Sequence, residues 1–274
     1  MLIARKTALG LLGVDVGFSA ARKTTAFAWR IGGRIGVEVS RTSWESRRAV
    51  LPEGMRFEVA ALDAPVLPSS DRAAARACEA VLYRRPFWNR CRPGLSLHGR
   101  GLDLRRAGAD AAVQIATVVS PTGLARGPEV MPGVPIVEAF PNAFLGVMLP
   151  EKIYAASGRP ARTAKSDWLY DQALESGALD RVLRHLGWDD PETRTQVETE
   201  THHERRAAYV CLLTAGLAHM GEATIVGDPA GGWLWLPPPA MWAPWAVMGL
   251  DDAIGRSRLR GFPTASVWSR PTGR

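Results

Sequence analysis

The chain has 274 residues, 46% of them hydrophobic and 22% charged, proportions that exclude a disordered polymer and leave enough apolar mass for a sizeable core. Its three cysteines, Cys78, Cys91 and Cys211, are odd in number and widely spaced, which argues against a disulfide framework or a zinc knuckle, and no apolar run approaches the roughly 18 residues of a spanning helix. The formal net charge of +7 favours polyanionic partners, because Lys and Arg displace counterions from a phosphate backbone.

Ala8 to Phe18 reads as a buried strand interrupted by a carboxylate, in the stretch GVDVG. Arg5 and Lys6 precede this run, but Asp15 stops it early and no small-residue cleavage site follows, so the segment is read as a strand of a cytoplasmic protein and not as a signal peptide. Thr24 to Ile31 and Arg34 to Thr42 read as two further strands. The Gly32-Gly33 pair between them is a tight-hairpin signal, and the three strands are expected to form an antiparallel meander. A fourth strand, Arg56 to Val66, runs through FEVAALDAPV and again meets a carboxylate, Asp63. Ser70 caps a predicted helix through DRAAARACEAVLYRR that ends at Pro86, an ordered loop is expected around RCRPGLSLHGRG, and Leu102 to Val119 reads as a helix. In VPIVEAFPNAF a fifth strand carries Glu138 where the earlier strands carried aspartates. Beyond Pro150 the pattern turns helical, over Ala164 to Glu175, Leu179 to Leu186 and Glu200 to Met220. A hairpin, ATIVGD then PAGG then WLWLPP, precedes a Pro/Trp-rich stretch and a basic tail. Trp233, Trp235, Trp242 and Trp245 are read as a satellite core that pins the terminal segment.

The acids are the chemical signal. In an open α/β sheet functional groups collect at the carboxyl ends of strands, and Asp15, Asp63 and Glu138 all stand near such ends. If the strands are neighbours the three converge. Like charges that close raise one another's pKa and oppose folding unless a cation neutralises them, and hard oxygen ligands suit Mg²⁺ or Mn²⁺. Glu204, in the first turn of the helix begun by THHERRAAYVCLLTAGL, is the fourth candidate, at a place where the helix dipole also tolerates a carboxylate. His202 and His203 beside it lack the spaced partner that an HExxH zinc site requires. The basic stretch from Arg84 to Arg106, interleaved with Phe87 and Trp88, fits a surface that tracks a strand and stacks bases; Arg76, Arg90, Arg92 and Lys165 are the candidates for holding phosphates near the acids.

The meander after GVDVG, the ALDAP strand, RACE followed by FWNRCRPGLS, VEAFPNAFLGVMLPE, AKSDWLYDQAL, HHERRAAYVCLLTAGL and the closing VGDPAGGWLWLP together resemble the domain-of-unknown-function 429 family, predicted nucleases with a ribonuclease-H-like fold. The resemblance spans nearly the whole chain. It implies an α/β protein with a five-stranded mixed sheet, the first three strands antiparallel, flanked by helices, and acids at Asp15, Asp63 and Glu138 plus one from the late helix. That family's late helix opens on an aspartate, whereas this chain has Glu204 followed by Arg205 and Arg206. The organisation expected is a single domain over residues 1–274, with a helical insertion at about 150–200 and a C-terminal hairpin extension at about 222–274.

The function expected is a nuclease that uses Mg²⁺ or Mn²⁺ to hydrolyse phosphodiester bonds of DNA or RNA, with Asp15, Asp63, Glu138 and Glu204 as catalytic and metal-binding residues and no membrane partner. Two alternatives are an ATP-dependent phosphotransferase of the actin and sugar-kinase type, which shares the meander and an Asp-x-Gly turn, and a non-catalytic nucleic-acid-binding protein of the same fold.

Overall fold

A computed structural model describes residues 9–66, 75–92, 96, 99–121, 133–155, 159–160, 162–259 and 265–268. Three strands open the chain: β1 (Leu9–Asp15), β2 (Thr25–Ile31) and β3 (Arg34–Ser40). They form the expected antiparallel meander, and both glycines of its second turn have positive φ, 56° at Gly32 and 88° at Gly33, which a residue with a Cβ adopts only with strain. Next come α1 (Trp44–Val50), β4 (Arg56–Asp63), α2 (Ala77–Leu82), α3 (Arg100–Ala116), β5 (Ile136–Ala139), α4 (Pro141–Met148) and α5 (Glu151–Ala155). The second half supplies α6 (Lys165–Glu175), α7 (Ala178–His185), α8 (Pro191–Thr199), α9 (His203–Met220), β6 (Thr224–Asp228), β7 (Gly232–Leu236), α10 (Pro244–Leu259) and β8 (Ser266–Trp268).

The eight strands among the described residues belong to one mixed sheet in the order β3-β2-β1-β4-β5-β7-β6-β8. Strands β1, β4, β5 and β7 run parallel to one another, so their carboxyl ends share one edge. The sheet is wider than the five strands expected, because the late hairpin is not an appendage: β7 pairs with β5 and β6 carries β8 beyond it. Burial explains this. The WLWL stretch is apolar on both faces, all five residues of β7 are buried, and a strand buried on both faces belongs inside a sheet. Trp235 is fully buried, and Trp242 and Trp245 donate their indole N–H groups to the carbonyls of Pro237 and Leu149.

Helix α9 crosses the middle of one face. A Cβ at Gly13 would lie 2.1 Å from the backbone nitrogen of Leu212 and 2.4 Å from the carbonyl oxygen of Ala208, so the first glycine of GVDVG lets the helix backbone rest directly on β1. The twelve residues of α9 from Ala207 to Ala218 are buried, as befits a helix covered on every side. Its first turn projects beyond them, at the carboxyl edge of the sheet. The second glycine of the motif sits under a clamp: Arg47 of α1, 2% exposed, donates to the Gly17 carbonyl at 3.3 Å and to Gln114 of α3 at 2.7 Å, while the Gly17 amide donates to Thr25 Oγ1 at 3.2 Å.

Several boundaries differ from the sequence reading. The predicted fifth strand stops at Ala139, because Pro141 starts α4 and the fixed φ of proline suits the first helical turn. The predicted helix through RACE is observed over Ala77–Leu82, and its proposed cap, Ser70, lies outside the described residues.

Candidate active site

Asp15 and Asp63 are the last residues of β1 and β4, and the parallel register pairs them directly. Paired residues on adjacent strands project to the same face, here the α9 face that Gly13 also presents. Both are partly buried. Burial pushes the Asp15 carboxyl well above the ordinary carboxylate range, and the neighbouring charges of Asp63 and Glu204 push it further. Asp63 is raised to about 7, first by burial and then by Glu138. Glu204, in the first turn of α9, has a side chain 25% exposed that lies 3.2 Å from His202 Nδ1. A half-buried pair of acids, faced by a third from the helix, is therefore present at the sheet edge.

Glu138 stands at the same edge but faces the other way. It pairs in register with Leu62, not with Asp63, and a shift of one residue turns a side chain to the opposite face. On that face Arg76, which immediately precedes α2, meets it with both terminal nitrogens: Nη1 donates to Oε1 at 2.7 Å, and Nη2 donates to Oε2. Both partners are about 3% exposed. Burial raises the Glu138 carboxyl to about 7 against the downward pull of Arg76. For Arg76, burial alone would lower the pKa, but Glu138 and the groups around it hold it well above the ordinary value. Two charge-assisted hydrogen bonds in a fork geometry favour the ionised pair and offset part of that burial.

The network extends through residues that sequence reasoning did not single out. Glu79 accepts from Arg76 Nη1 at 3.2 Å, from the Ser96 amide at 3.2 Å and from Ser96 Oγ at 2.5 Å, and Arg105 Nε donates to Ser96 Oγ at 2.8 Å. The signal for Glu79 was within RACE: Arg and Glu three residues apart share one side of a helical turn. Arg76 and Glu138 also line a cavity of about 260 Å³ beside Asp63, walled by Phe18, Arg100 and Leu104. Arg100 packs over the Phe18 ring, 5.4 Å from its centroid, in the wall of that cavity.

The four basic residues expected to hold phosphates separate. Arg76 is buried in the Glu138 pair, away from solvent. Arg90 stacks over Trp245 at 4.3 Å and over Tyr154 at 5.5 Å, and pairs with Glu151, which gives it a structural role. Arg92 and Lys165 converge on a different hollow, together with Arg159 and Trp168. The AKSDW segment fastens α6 to α9: Asp167 lies 2.9 Å from His203 Nδ1, and Arg206 reaches Asp171 at 2.9 Å.

Among the described residues no group of three or more His, Cys, Asp or Glu side chains is gathered closely enough to hold a metal ion. The expected set of four ligands thus resolves into a facing pair, Asp15 and Asp63, a flanking Glu204, and Glu138 held by arginine. No helix of the described chain is long and apolar enough to cross a membrane. Comparison with protein-family models, with curated proteins and with solved structures yields no match.

Proposed function

We propose that the chain is a divalent-metal-dependent nuclease with a ribonuclease-H-like core, of the kind expected of the domain-of-unknown-function 429 family. The observation that carries this reading is the register pairing of Asp15 with Asp63 at the carboxyl ends of two adjacent parallel strands, with both carboxyls raised by burial and by neighbouring negative charge. The strand order β3-β2-β1-β4-β5, antiparallel then parallel, supports it.

Two carboxylates fit Mg²⁺ or Mn²⁺, since such ions take one or two protein acids and complete their shell with water and substrate phosphate oxygens. Asp15 and Asp63 are the residues that would hold the ion, which supplies a water acidified for attack and charge neutralisation at the phosphate. Glu204, partly exposed at the rim, would serve as the proton acceptor for an attacking water. Arg76 keeps Glu138 out of the ligand set. Clamped by Arg47, Gly17 fixes the turn beyond Asp15, so the carboxyl needs no reordering when substrate arrives.

The test is cleavage of mixed single- and double-stranded DNA and RNA with Mn²⁺ or Mg²⁺ added to chelator-treated protein. Cleavage that requires the ion and falls at least 100-fold in Asp15→Asn and Asp63→Asn supports the reading. Nucleic-acid binding without cleavage under any of these conditions replaces it with a binding role.

A further inference from the structure

Apart from the acid pair, the structure has a second hollow, of about 420 Å³, between the segment after α2 and the start of α6. Trp88, Arg92, Tyr154, Arg159, Lys165 and Trp168 line it. Its cations are unmatched: none of Arg92, Arg159 and Lys165 forms an ion pair among the described residues, whereas Arg90 next door is paired with Glu151. Nη1 of Arg92 is buried without a hydrogen-bond partner. Burial lowers the Lys165 amine, and Arg92 and Arg159 lower it further; the one opposing group is the Cys91 thiol. Burial raises that thiol to about 12, so it is neutral at pH 7 and supplies no counter-charge. Three cations facing one recess repel one another, and an anion held between them removes that cost.

The walls add a second requirement. The Arg92 guanidinium carbon lies 3.9 Å from the Trp88 ring centroid and 5.0 Å from that of Tyr83, and Tyr154 and Trp168 meet edge to face at 5.9 Å in the facing wall. Arginine planes and aromatic rings are the surfaces on which unstacked bases rest. A recess takes the end of a strand more readily than its middle, because an internal phosphodiester must enter and leave. A terminal phosphomonoester also offers close to two negative charges where an internal phosphate offers one.

We infer that this recess binds the terminal phosphate of a nucleic-acid strand together with its adjoining base, so that the protein recognises strand ends. The inference rests on the nucleic-acid reading above, but not on its metal site. The experiment measures binding of fluorescent single-stranded oligonucleotides carrying a 5′-phosphate, a 3′-phosphate or hydroxyls at both ends, in EDTA, with wild type and with Lys165→Gln, Arg159→Gln and the double variant. Thermal midpoints confirm folding, and the exposed position of Arg159 makes its variant structurally mild. Binding about tenfold tighter for one phosphate-ended strand, abolished in the double variant, is the result expected from one or two lost charge-assisted hydrogen bonds. Equal affinity for phosphate and hydroxyl ends, or a preference that survives the double variant, overturns the inference. Competition by AMP without any preference among strand ends assigns the recess to a free nucleotide and overturns it equally. Because no turnover occurs in EDTA, end recognition by a protein that never cleaves would leave this inference standing and remove the nuclease reading.

Discussion

Asp63→Asn gives the sharpest stability prediction. Burial, with Glu138 nearby, pushes this carboxyl up from its ordinary 3.8 to about 7, so between about pH 4 and 7 the folded protein binds more protons than the unfolded chain. Stability from this group is then fully present below pH 4 and is lost as the pH rises through 7. For a fully desolvated acid that elevation would correspond to about 4 kcal/mol. Asp63 is only partly buried, and water screening brings the figure to about 1–2 kcal/mol. Asparagine keeps the size and removes the charge, and it also relieves Asp15, whose carboxyl Asp63 pushes up. In chelator at pH 8 the variant should therefore unfold at a higher temperature than wild type, by about 2–8 °C for a chain of this size, and the two should converge near pH 4. Differential scanning calorimetry across that range is the assay. A variant less stable than wild type at pH 8, or a difference independent of pH, refutes the claim that these acids repel one another in the folded protein.

Other substitutions follow from the same geometry. Arg76→Met leaves Glu138 buried and unpaired, and should cost about 3–5 kcal/mol at pH 8; urea titration should show less loss at pH 5, where Glu138 is protonated. The double variant Arg76→Met/Glu138→Gln should recover much of that loss, because the uncompensated charge is gone. Gly13→Ala places a methyl against the α9 backbone and should destabilise by about 3 kcal/mol, measured by the same titration, with cleavage falling in parallel as Glu204 moves away from Asp15.

The first half of the fold was legible because its signals are local. Alternating apolar strands, the Gly32-Gly33 turn and the carboxylates that end β1 and β4 need no knowledge of distant partners. The hairpin ATIVGD-PAGG-WLWL was found but not its destination, since only tertiary pairing tells a strand at a sheet's margin from one inserted beside β5. Helix α4 was hidden by its apolar content: in FPNAFLGVM nearly every side chain is buried, which erases the helical period on which such a reading depends. The acids show the limit most clearly. Asp15, Asp63 and Glu138 occupy similar places by sequence, near the end of an apolar run, yet the register β4 to β5 turns Glu138 to the opposite face. Sequence gives the parity of residues within a strand but not the offset between strands. The buried role of Arg76 was illegible for the same reason, as its partner lies 62 residues away.

Divalent-ion affinity compared across three proteins tests the central claim most directly: wild type, Asp15→Asn and the charge-neutral double variant Arg76→Met/Glu138→Gln, each folded by thermal scan and titrated with Mn²⁺ by electron paramagnetic resonance. If Asp15 and Asp63 form the metal pair while Glu138 is held by arginine, Asp15→Asn loses binding and the double variant keeps it. Retention of Mn²⁺ by Asp15→Asn together with its loss in the double variant would contradict the account.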